Sequence, residues 1–444
     1  MKTKFAILIT LLLLPTLMWA QEAEVADSML LLRGRVTAKG KGIPYATLQL
    51  KGTSKGVSCN DAGEYELKIP ARYKNDTILV RAIGYSQAQY LVASLTRRSN
   101  LKLEPKAIEL REVSVTSFRS ARQLILAAVD RIPHNYHQKE TYSTFFFRDW
   151  RSVDNELYLF DEAVMGVRRC AYSQYADKRG YRLNPMQREM ESNYKELLRH
   201  RLVVCDRECL RRKIESEYGV EQMLEYADND LFYDPVATPQ ASYSLAKRML
   251  KEHDFDPIRE FVSDGEAYYL VTSIGPNRRP NAKVRNTWII RKSDLAIVSI
   301  TSAQLPISRR VPDDLYLNSH FNRMVYDADS SSWTYDVRDG HHTLTHYYNL
   351  TSYTLSSNHR GHESERQQWQ HSTDWTLTDF SLTPPTQHGD TLEVKLQTLP
   401  GAFGSSDYST DFWGHFNSIP LDTFPLRLLK EKIQKPLKRY CLIA

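Results

Sequence analysis

Short runs in which apolar and polar residues alternate, separated by turn residues, recur along most of this chain and limit its fold more than any other feature. Residues 46–50 alternate in this way, and so do residues 64–69 and 78–82. A period of two places successive side chains on opposite faces of a strand, so each run predicts a strand with one buried face. The pattern therefore predicts a mainly β chain.

The N-terminus has the pattern of an export signal. Lys2 and Lys4 precede an apolar run over residues 5–17, and the small residue Ala20 stands before the polar Gln21. A charged start, an apolar stretch and a small residue at the cleavage point are typical of a secretory signal peptide. The run is shorter than the roughly 20 residues that span a bilayer. We therefore predict a signal peptide over residues 1–20, with an uncleaved membrane anchor as the alternative.

The net charge of the chain indicates whether nucleic acid is an expected partner. The 444 residues carry a formal net charge of +6, to which Lys2 and Lys4 contribute two charges that leave with the signal. So small an excess over this length is not the electrostatic footprint of nucleic-acid binding, and we expect no nucleic-acid partner. The length that remains suits two or three domains.

Residues 29–116 contain the first group of strand runs, and their spacing predicts a seven-stranded β-sandwich. An ordered set of motifs runs along this stretch: Gly34-Arg35-Val36, Gly42-Ile43-Pro44-Tyr45-Ala46, Lys51-Gly52-Thr53, Gly56, Asp61-Ala62-Gly63-Glu64-Tyr65 and Ile83-Gly84-Tyr85. Within them, Gly63 stands where a tight hairpin needs a positive φ.

These motifs resemble the carboxypeptidase regulatory-like domain, a transthyretin-like sandwich that is common in exported bacterial envelope proteins. The resemblance implies a domain without catalytic activity that serves stability or interaction. Cys59-Asn60 stands where the family usually carries a Thr-Asp pair, so we expect an altered turn there.

A linking helix is predicted over residues 117–135, where apolar residues recur at helical spacing. Either Ser117 or Ser120 can cap its start, and Pro133 marks its end.

Residues 136–400 are predicted to form a large antiparallel sheet domain of α+β type, with a helical insert at about 190–255. Strand candidates include residues 321–327 and 333–338, and Asp339-Gly340 is a strong hairpin signal. Residues 401–444 form a C-terminal segment with a basic tail, which is expected either to contact an anionic membrane surface or to pack as a short helix on its own domain.

Two stretches of this second region, residues 265–271 and 288–298, loosely resemble the lipoprotein-carrier superfamily. The resemblance implies a curved antiparallel sheet that wraps around helices and cradles acyl chains. Generic α+β sheet domains have the same strand pattern, so both interpretations stay open.

Aromatic residues are frequent in the predicted strands. Four of them are candidates to line a concave ligand site: Tyr268, Tyr269, Tyr347 and Tyr348. The alternative is that they only fill the core.

Histidines cluster late in the chain, and this clustering makes a metal site one hypothesis. His359, His362 and Glu365 are the candidate ligands, and His362 with Glu365 has the H-x-x-E spacing of zinc carboxypeptidases. A catalytic zinc also needs a third ligand and a dry cavity, whereas the surrounding residues are those of a solvated loop. We therefore expect no cofactor and no enzyme activity, with a zinc-dependent hydrolase as a further alternative.

The five cysteines include one pair at close spacing. Cys205 and Cys209 are four positions apart, so on a helix they share a face and can form a local disulfide. Two separate thiols are the alternative.

These features together predict an exported, non-catalytic envelope protein, in the periplasm or outer membrane of a Gram-negative bacterium. It is expected to act as a binding or assembly module for other outer-membrane proteins or glycans, and the alternative is a lipid or lipoprotein carrier. An exposed sandwich edge can pair with a partner strand.

Overall fold

The structure is a computed structural model. It describes residues 28–53, 55–95, 98–106, 111–112, 118–169, 172, 194–205, 234–237, 239, 244–263, 265–276, 282–305, 307–310, 323–356, 366–384, 392–393, 412–413 and 416–434. The chain forms two compact units: Met1–Lys106 with Ser409–Thr423, and Ala107–Tyr408 with Phe424–Ala444. Among the described residues, no helix combines the length and apolarity needed to cross a membrane.

The first unit is a pair of four-stranded sheets. Its strands are β1 (Met29–Ala38), β2 (Lys41–Gly42), β3 (Thr47–Leu50), β4 (Gly56–Ser58), β5 (Glu64–Pro70), β6 (Thr77–Arg81), β7 (Ala88–Leu91) and β8 (Leu101–Lys102). One sheet has the order β2-β1-β5, with β8 parallel to β1, and the other has the order β4-β3-β6-β7. Alternate residues such as Leu48, Leu67 and Val80 are buried, as the period of two predicts.

The predicted sandwich differs from this unit in its strand count. Its described residues form eight strands rather than seven. The predicted sandwich extends to residue 116, but its last part contributes β9 (Arg111–Glu112), which pairs with a strand of the second unit. Alternation within a run shows that it forms a strand but not which edge it joins, because pairing depends on distant residues.

The turn at Asn60 shows how local chemistry closes a hairpin. The Asn60 Oδ1 accepts hydrogen bonds from the backbone N–H groups of Ala62 (3.1 Å) and Glu64 (2.8 Å). Gly63 follows with φ of +79°, and a Cβ there would lie 2.6 Å from the Ile43 nitrogen. The predicted requirement for glycine is therefore confirmed, and it is steric as well as conformational.

A segment from the far end of the sequence completes the first unit along β5. Asn417 pairs with the backbone of Lys68 through both ends of its carboxamide: its Oδ1 accepts from the Lys68 N–H (2.5 Å) and its Nδ2 donates to the Lys68 carbonyl (2.9 Å). The Lys68 ammonium donates to the carbonyls of Trp413 and Phe416. We call residues 412–413 and 416–423 the C-terminal strap.

The linking helix forms in two pieces. Helix α1 (Ala121–Asp130) begins at Ser120, whose Oγ accepts from the Gln123 N–H at 3.2 Å, and α2 (Ile132–Asn135) follows after Arg131. Pro133 lies in the first turn of α2, where its missing N–H costs nothing, and this is why the chain starts a new helix there.

The second unit is built on one sheet of 14 strands. Besides β9, its strands are β10 (Thr141–Val153), β11 (Glu156–Arg169), β12 (Tyr194–Cys205), β13 (Asp254–Phe255), β14 (Arg259–Ser263), β15 (Glu266–Pro276), β16 (Lys283–Arg291), β17 (Ile297–Gln304), β18 (Ile307–Arg310), β19 (Arg323–Arg338), β20 (His341–Ser356), β21 (Arg366–Ser381) and β22 (Leu392–Glu393). The order is β22-β12-β11-β10-β21-β20-β19-β17-β16-β15-β14-β9, with β13 on β15 and β18 on β19. Helix α3 is Lys247–Leu250, and α4 is Thr423–Gln434.

Within this sheet, the hairpin that was predicted from turn residues forms, whereas the helical insert that was predicted from about residue 190 does not form over all of its range. Asp339 and Gly340 both have positive φ (47° and 82°) between β19 and β20, which confirms the predicted hairpin. By contrast, the helical insert expected from about residue 190 is wrong over Tyr194–Cys205. These residues form β12 and pair with β11 from Tyr194 to Cys205, so a long ladder of backbone hydrogen bonds makes this segment a strand.

Candidate functional site

One face of the large sheet carries a row of apolar side chains that lie side by side on eight strands. In register these are Val271, Trp288, Ile300, Trp333, Tyr347, Trp375, Phe147 and Ala163. All are buried, and they pack in one core with Leu124, Ile125 and Ala128 of α1. We call this set the apolar row; it marks the face of the sheet that α1 covers.

A polar row follows two positions further along the strands, on the same face. Its members are Ser273, Asn286, Ser302, Ser331, Asn349, Thr373 and Asp149. The next row in the same direction contains Asp329, Thr351, His371 and Arg151. We call these two rows together the polar band.

A second apolar cluster bounds the polar band on its far side. It contains Tyr353 and Trp369, whose rings stack with centroids 6.1 Å apart and planes 5° apart, together with Val153 and Leu355. The polar band thus lies between two apolar layers, where the period of two would ordinarily place apolar residues.

The middle of the polar band is partly open to solvent. The members on β17, β19 and β20, which are Ser302, Asp329, Ser331, Asn349 and Thr351, are half-buried, whereas the members on the outer strands are buried. Asn349 Nδ2 donates to Ser331 Oγ at 3.0 Å, and Thr351 Oγ1 donates to Asn349 Oδ1 at 3.3 Å. These bonds hold Ser331, Asn349 and Thr351 in a fixed arrangement before any ligand arrives.

Asn286 is the most unusual member of the polar band. It is 0% exposed, yet neither its Oδ1 nor its Nδ2 has a hydrogen-bond partner among the residues that the structure describes. Within the same described set, the buried Thr373 hydroxyl is also without a partner. A buried polar group left in this state costs about 1–3 kcal/mol of stability. Such groups are unexpected in a sheet that serves stability alone.

The neighbouring Ser273 is satisfied. Its hydroxyl lies 2.8 Å from Nδ1 of His253, a buried side chain that packs directly over Gly275. Burial lowers the pKa of His253 below its ordinary value, so this imidazole is neutral near pH 7.

The other end of the polar band is a compensated charge cluster. Arg151 Nη2 donates to Asp149 Oδ2 at 2.8 Å, and His371 Nε2 lies 3.0 Å from Asp149 Oδ1. Burial opposes ionisation of Asp149, but Arg151 and His371 outweigh it and hold the pKa of this carboxyl well below its usual range. The carboxylate is therefore ionised and already paired.

The opposite face of the same strands carries a second set of paired polar side chains. Arg148 Nη2 lies 2.6 Å from Glu162 Oε1, and His346 Nε2 lies 3.1 Å from Asp374 Oδ1. Trp150, on this face, packs against Phe424 of α4 with ring centroids 5.5 Å apart. These pairs tie strands β10, β11, β20 and β21 together, and we assign them a structural role.

Another buried carboxylate, Asp234, organises a turn rather than a site. It accepts hydrogen bonds from Arg169 (2.6 Å), Tyr335 (2.6 Å) and the backbone N–H of Val236 (3.0 Å). Burial and the Asp234 charge raise the pKa of Tyr335 well above its ordinary value, so this phenol remains a donor at neutral pH.

The structure does not bring the four predicted aromatic residues to one surface. Tyr269 and Tyr347 lie in the core that α1 covers. Tyr268 and Tyr348 are half-buried neighbours of these residues on the opposite face, and Tyr268 stacks on Phe261 at 5.2 Å. Tyr269 and Tyr347 therefore fill a core, as in the alternative interpretation.

Of the other candidate site residues, the structure describes only Cys205. His359, His362, Glu365 and Cys209 lie outside the described residues. Cys205 ends a strand, so the helical spacing that suggested a disulfide does not apply to it. In the part of the chain that the structure describes, no group of three or more His, Cys, Asp or Glu side chains is arranged to hold a metal ion.

Sequence reasoning missed the polar band, although the sequence contains a signal for it. Asn286 stands between Val284 and Trp288 at positions that all face the core, and Ser331 interrupts what we predicted as two separate strands. Polar residues at inward positions of a strand are the mark of such a site, but a single polar residue within an apolar run is weak evidence until neighbouring strands are aligned.

Comparisons with known proteins agree with the first resemblance. Residues 32–115 match the model of the CarboxypepD_reg-like domain, which confirms the predicted domain type. No curated protein matches the chain.

Three solved structures are similar to larger parts of the chain. A LolA superfamily protein from Nitrosomonas europaea is 9% identical, with 60% of this chain and 96% of that chain covered and a TM-score of 0.20. A protein of unknown function from Bacteroides fragilis, described as membrane-associated, is 11% identical, with 79% and 98% covered and a TM-score of 0.15. A DUF1329 family protein from Desulfovibrio piger is 9% identical, with 59% and 92% covered and a TM-score of 0.23. The first belongs to the superfamily that residues 265–271 and 288–298 resemble, but similarities at these TM-scores carry no argument about function.

Proposed function

We propose that this protein is a non-catalytic binding protein of the bacterial cell envelope, and that the polar band is its ligand site. The observation that carries the proposal is the buried carboxamide of Asn286, which has no partner among the described residues and lies in register with half-buried polar side chains. A bound polar ligand can form the hydrogen bonds with this carboxamide that no described residue forms.

The envelope location rests on the N-terminal residues and the first domain. The pattern over residues 1–20 is typical of an export signal. The regulatory-like domain type, matched over residues 32–115, is common in exported envelope proteins. The partners that fit this location are other outer-membrane proteins or envelope glycans.

A binding role fits the polar band better than a catalytic one. The buried carboxylate of the polar band, Asp149, is engaged by Arg151 and His371 and has a lowered pKa, whereas a general acid or base needs a pKa near the working pH.

A polar ligand also fits better than an acyl chain. The members of the apolar row are at most 7% exposed and share one core with α1. An acyl chain bound on this face would have to displace the protein's own core.

The test is native mass spectrometry of the mature protein purified from the periplasm under mild conditions. We expect a bound mass in the wild type that is lost in Asn286→Val and kept in Thr301→Val, a matched control on the exposed opposite face. A wild type with no bound mass, or a bound mass kept in both variants, contradicts the proposal. A lipid-sized mass kept in both favours the carrier, and a zinc-sized increment favours the hydrolase.

A further inference from the structure

We infer that the ligand of the polar band is an uncharged saccharide that lies across the strands; this rests on the proposed function. The half-buried centre offers hydroxyls and a carboxamide from Ser302, Ser331, Asn349 and Thr351. Each hydroxyl can donate and accept, and a carboxamide does both at separate atoms, which matches the paired donor and acceptor character of sugar hydroxyls.

The charges around the polar band select against an ionic ligand. The Arg151 guanidinium is paired with Asp149, and His371 Nε2 lies 3.0 Å from the same carboxylate, so both groups are already engaged by an anion of the protein. Asp329, half-buried and directly beside Thr351, adds a carboxyl group at the rim. A neutral polyol can form hydrogen bonds with these groups without bringing a further charge into the half-buried centre.

Aromatic rings border the polar band on both sides. Trp288 and Trp333 lie in the apolar row, and Tyr353 with Trp369 forms a stacked pair beyond the opposite side. Trp288 Nε1 has no hydrogen-bond partner among the described residues, which leaves an indole donor next to Asn286. Polar groups framed by aromatic rings suit a ligand that has both hydroxyls and apolar C–H faces.

The open centre has the dimensions of a short oligosaccharide. Its members come from the three neighbouring strands β17, β19 and β20. At the usual spacing of about 4.8 Å between strands, these span about 10 Å across the sheet. The buried Asn286 on β16 and Thr373 on β21 stand at the two ends, as caps for the terminal sugar hydroxyls.

A peptide is the less suitable occupant. Extended peptides are usually recognised at a free sheet edge, where backbone groups are available. The backbone around the polar band is paired on both sides, because β16, β17, β19, β20 and β21 are all interior to the sheet. Only side chains remain to bind a ligand there.

The experiment is a binding titration of the full mature protein, by calorimetry and by tryptophan fluorescence. The probes are neutral hexasaccharides of glucose, mannose, galactose and N-acetylglucosamine, with an uncharged decapeptide for comparison. We expect at least one saccharide to bind, with affinity reduced tenfold or more in Asn349→Ala and in Asn286→Val, and unchanged in Thr301→Val. Two independent variants guard against misfolding of either one.

The outcomes separate this inference from the proposed function. Binding of the peptide alone, or of no saccharide, overturns the saccharide assignment. If the wild type nevertheless shows a bound mass that Asn286→Val loses, the site stands and only its ligand class is wrong. Saccharide binding that both variants retain overturns the assignment to the polar band.

Discussion

Single buried side chains show where this protein departs from a sheet built for stability alone. Asn286 lies among Val284, Trp288 and Ile290 on the buried face of β16, and its carboxamide has no partner among the described residues. His342, at the end of the same face near α2, is also buried, but Arg291 Nη2 lies 3.0 Å from its Nε2. The Asn286 carboxamide is suited to a ligand, whereas His342 is a structural residue whose protonation affects the stability of the fold.

The state of Asn286 predicts that its removal stabilises the protein. Asn286→Val deletes an unsatisfied buried amide and adds a β-branched residue to a strand, so we expect the free energy of unfolding to rise by about 1 kcal/mol. Denaturant unfolding of the purified protein measures this, with Thr301→Val as control. A loss of more than about 1 kcal/mol would show that the carboxamide has a structural partner.

His342 predicts a pH dependence of stability. Burial, followed by the charge of Arg291, lowers its pKa to about 4 in the folded protein, against about 6.5 in the unfolded chain. Between these values the unfolded state binds a proton that the folded state does not, so acidification from pH 6.5 to pH 4 favours unfolding, by up to about 3 kcal/mol.

Comparison of His342→Gln with the wild type isolates this contribution, because groups common to both proteins cancel. We expect the unfolding free energy of the variant to fall less between pH 6.5 and pH 4, while His341→Gln, at the exposed neighbouring position, behaves as the wild type. Parallel pH profiles for His342→Gln and wild type would contradict the assignment.

At the level of elements, the C-terminal strap forms hydrogen bonds with the backbone of β5. Its Asn417 side chain replaces the two hydrogen bonds that a neighbouring strand would make with Lys68. Asp61 anchors the other end of the strap, where its carboxylate accepts from the Thr423 N–H and hydroxyl, both at 2.9 Å. The strap thus occupies backbone groups of β5 that would otherwise be open to strand addition.

Asn417→Ala is predicted to weaken the first unit. The change leaves the Lys68 N–H and carbonyl without these partners, and we expect a loss of about 1–2 kcal/mol. Hydrogen exchange of the β5 amides reports it directly, with faster exchange at Lys68 than in Ser418→Ala, the neighbouring control. Equal exchange in both variants would show that the strap does not protect this edge.

At the scale of the whole molecule, the residues that match the family model are not the same as the residues that form the first compact unit, and the strap is part of the difference. The match covers residues 32–115, but the compact unit ends at Lys106 and adds Ser409–Thr423. The domain type could be predicted from local motifs, whereas its last component could not, because some 300 residues of the other unit stand between them in sequence.

We therefore predict that a fragment of residues 28–116 is less stable than the same unit in the full chain. The fragment lacks the partners of Asn60, Asp61 and Lys68 that the strap supplies. Exchange protection of β5 should be lower in the fragment and should recover when residues 409–423 are fused to it through a flexible linker. Identical protection with and without the segment would contradict this view.

The sequence by itself determined where most strands and turns lie, and which domain type stands first. Gly63, Ser120 and Asp339-Gly340 act through their immediate neighbours, so their roles can be predicted without knowledge of the rest of the chain. Only the tertiary structure decided that Tyr194–Cys205 is a strand and that β9 joins the large sheet. It alone also formed the polar band, because alternation fixes the face of each residue within its own strand, whereas the register between strands is set by residues far apart in sequence.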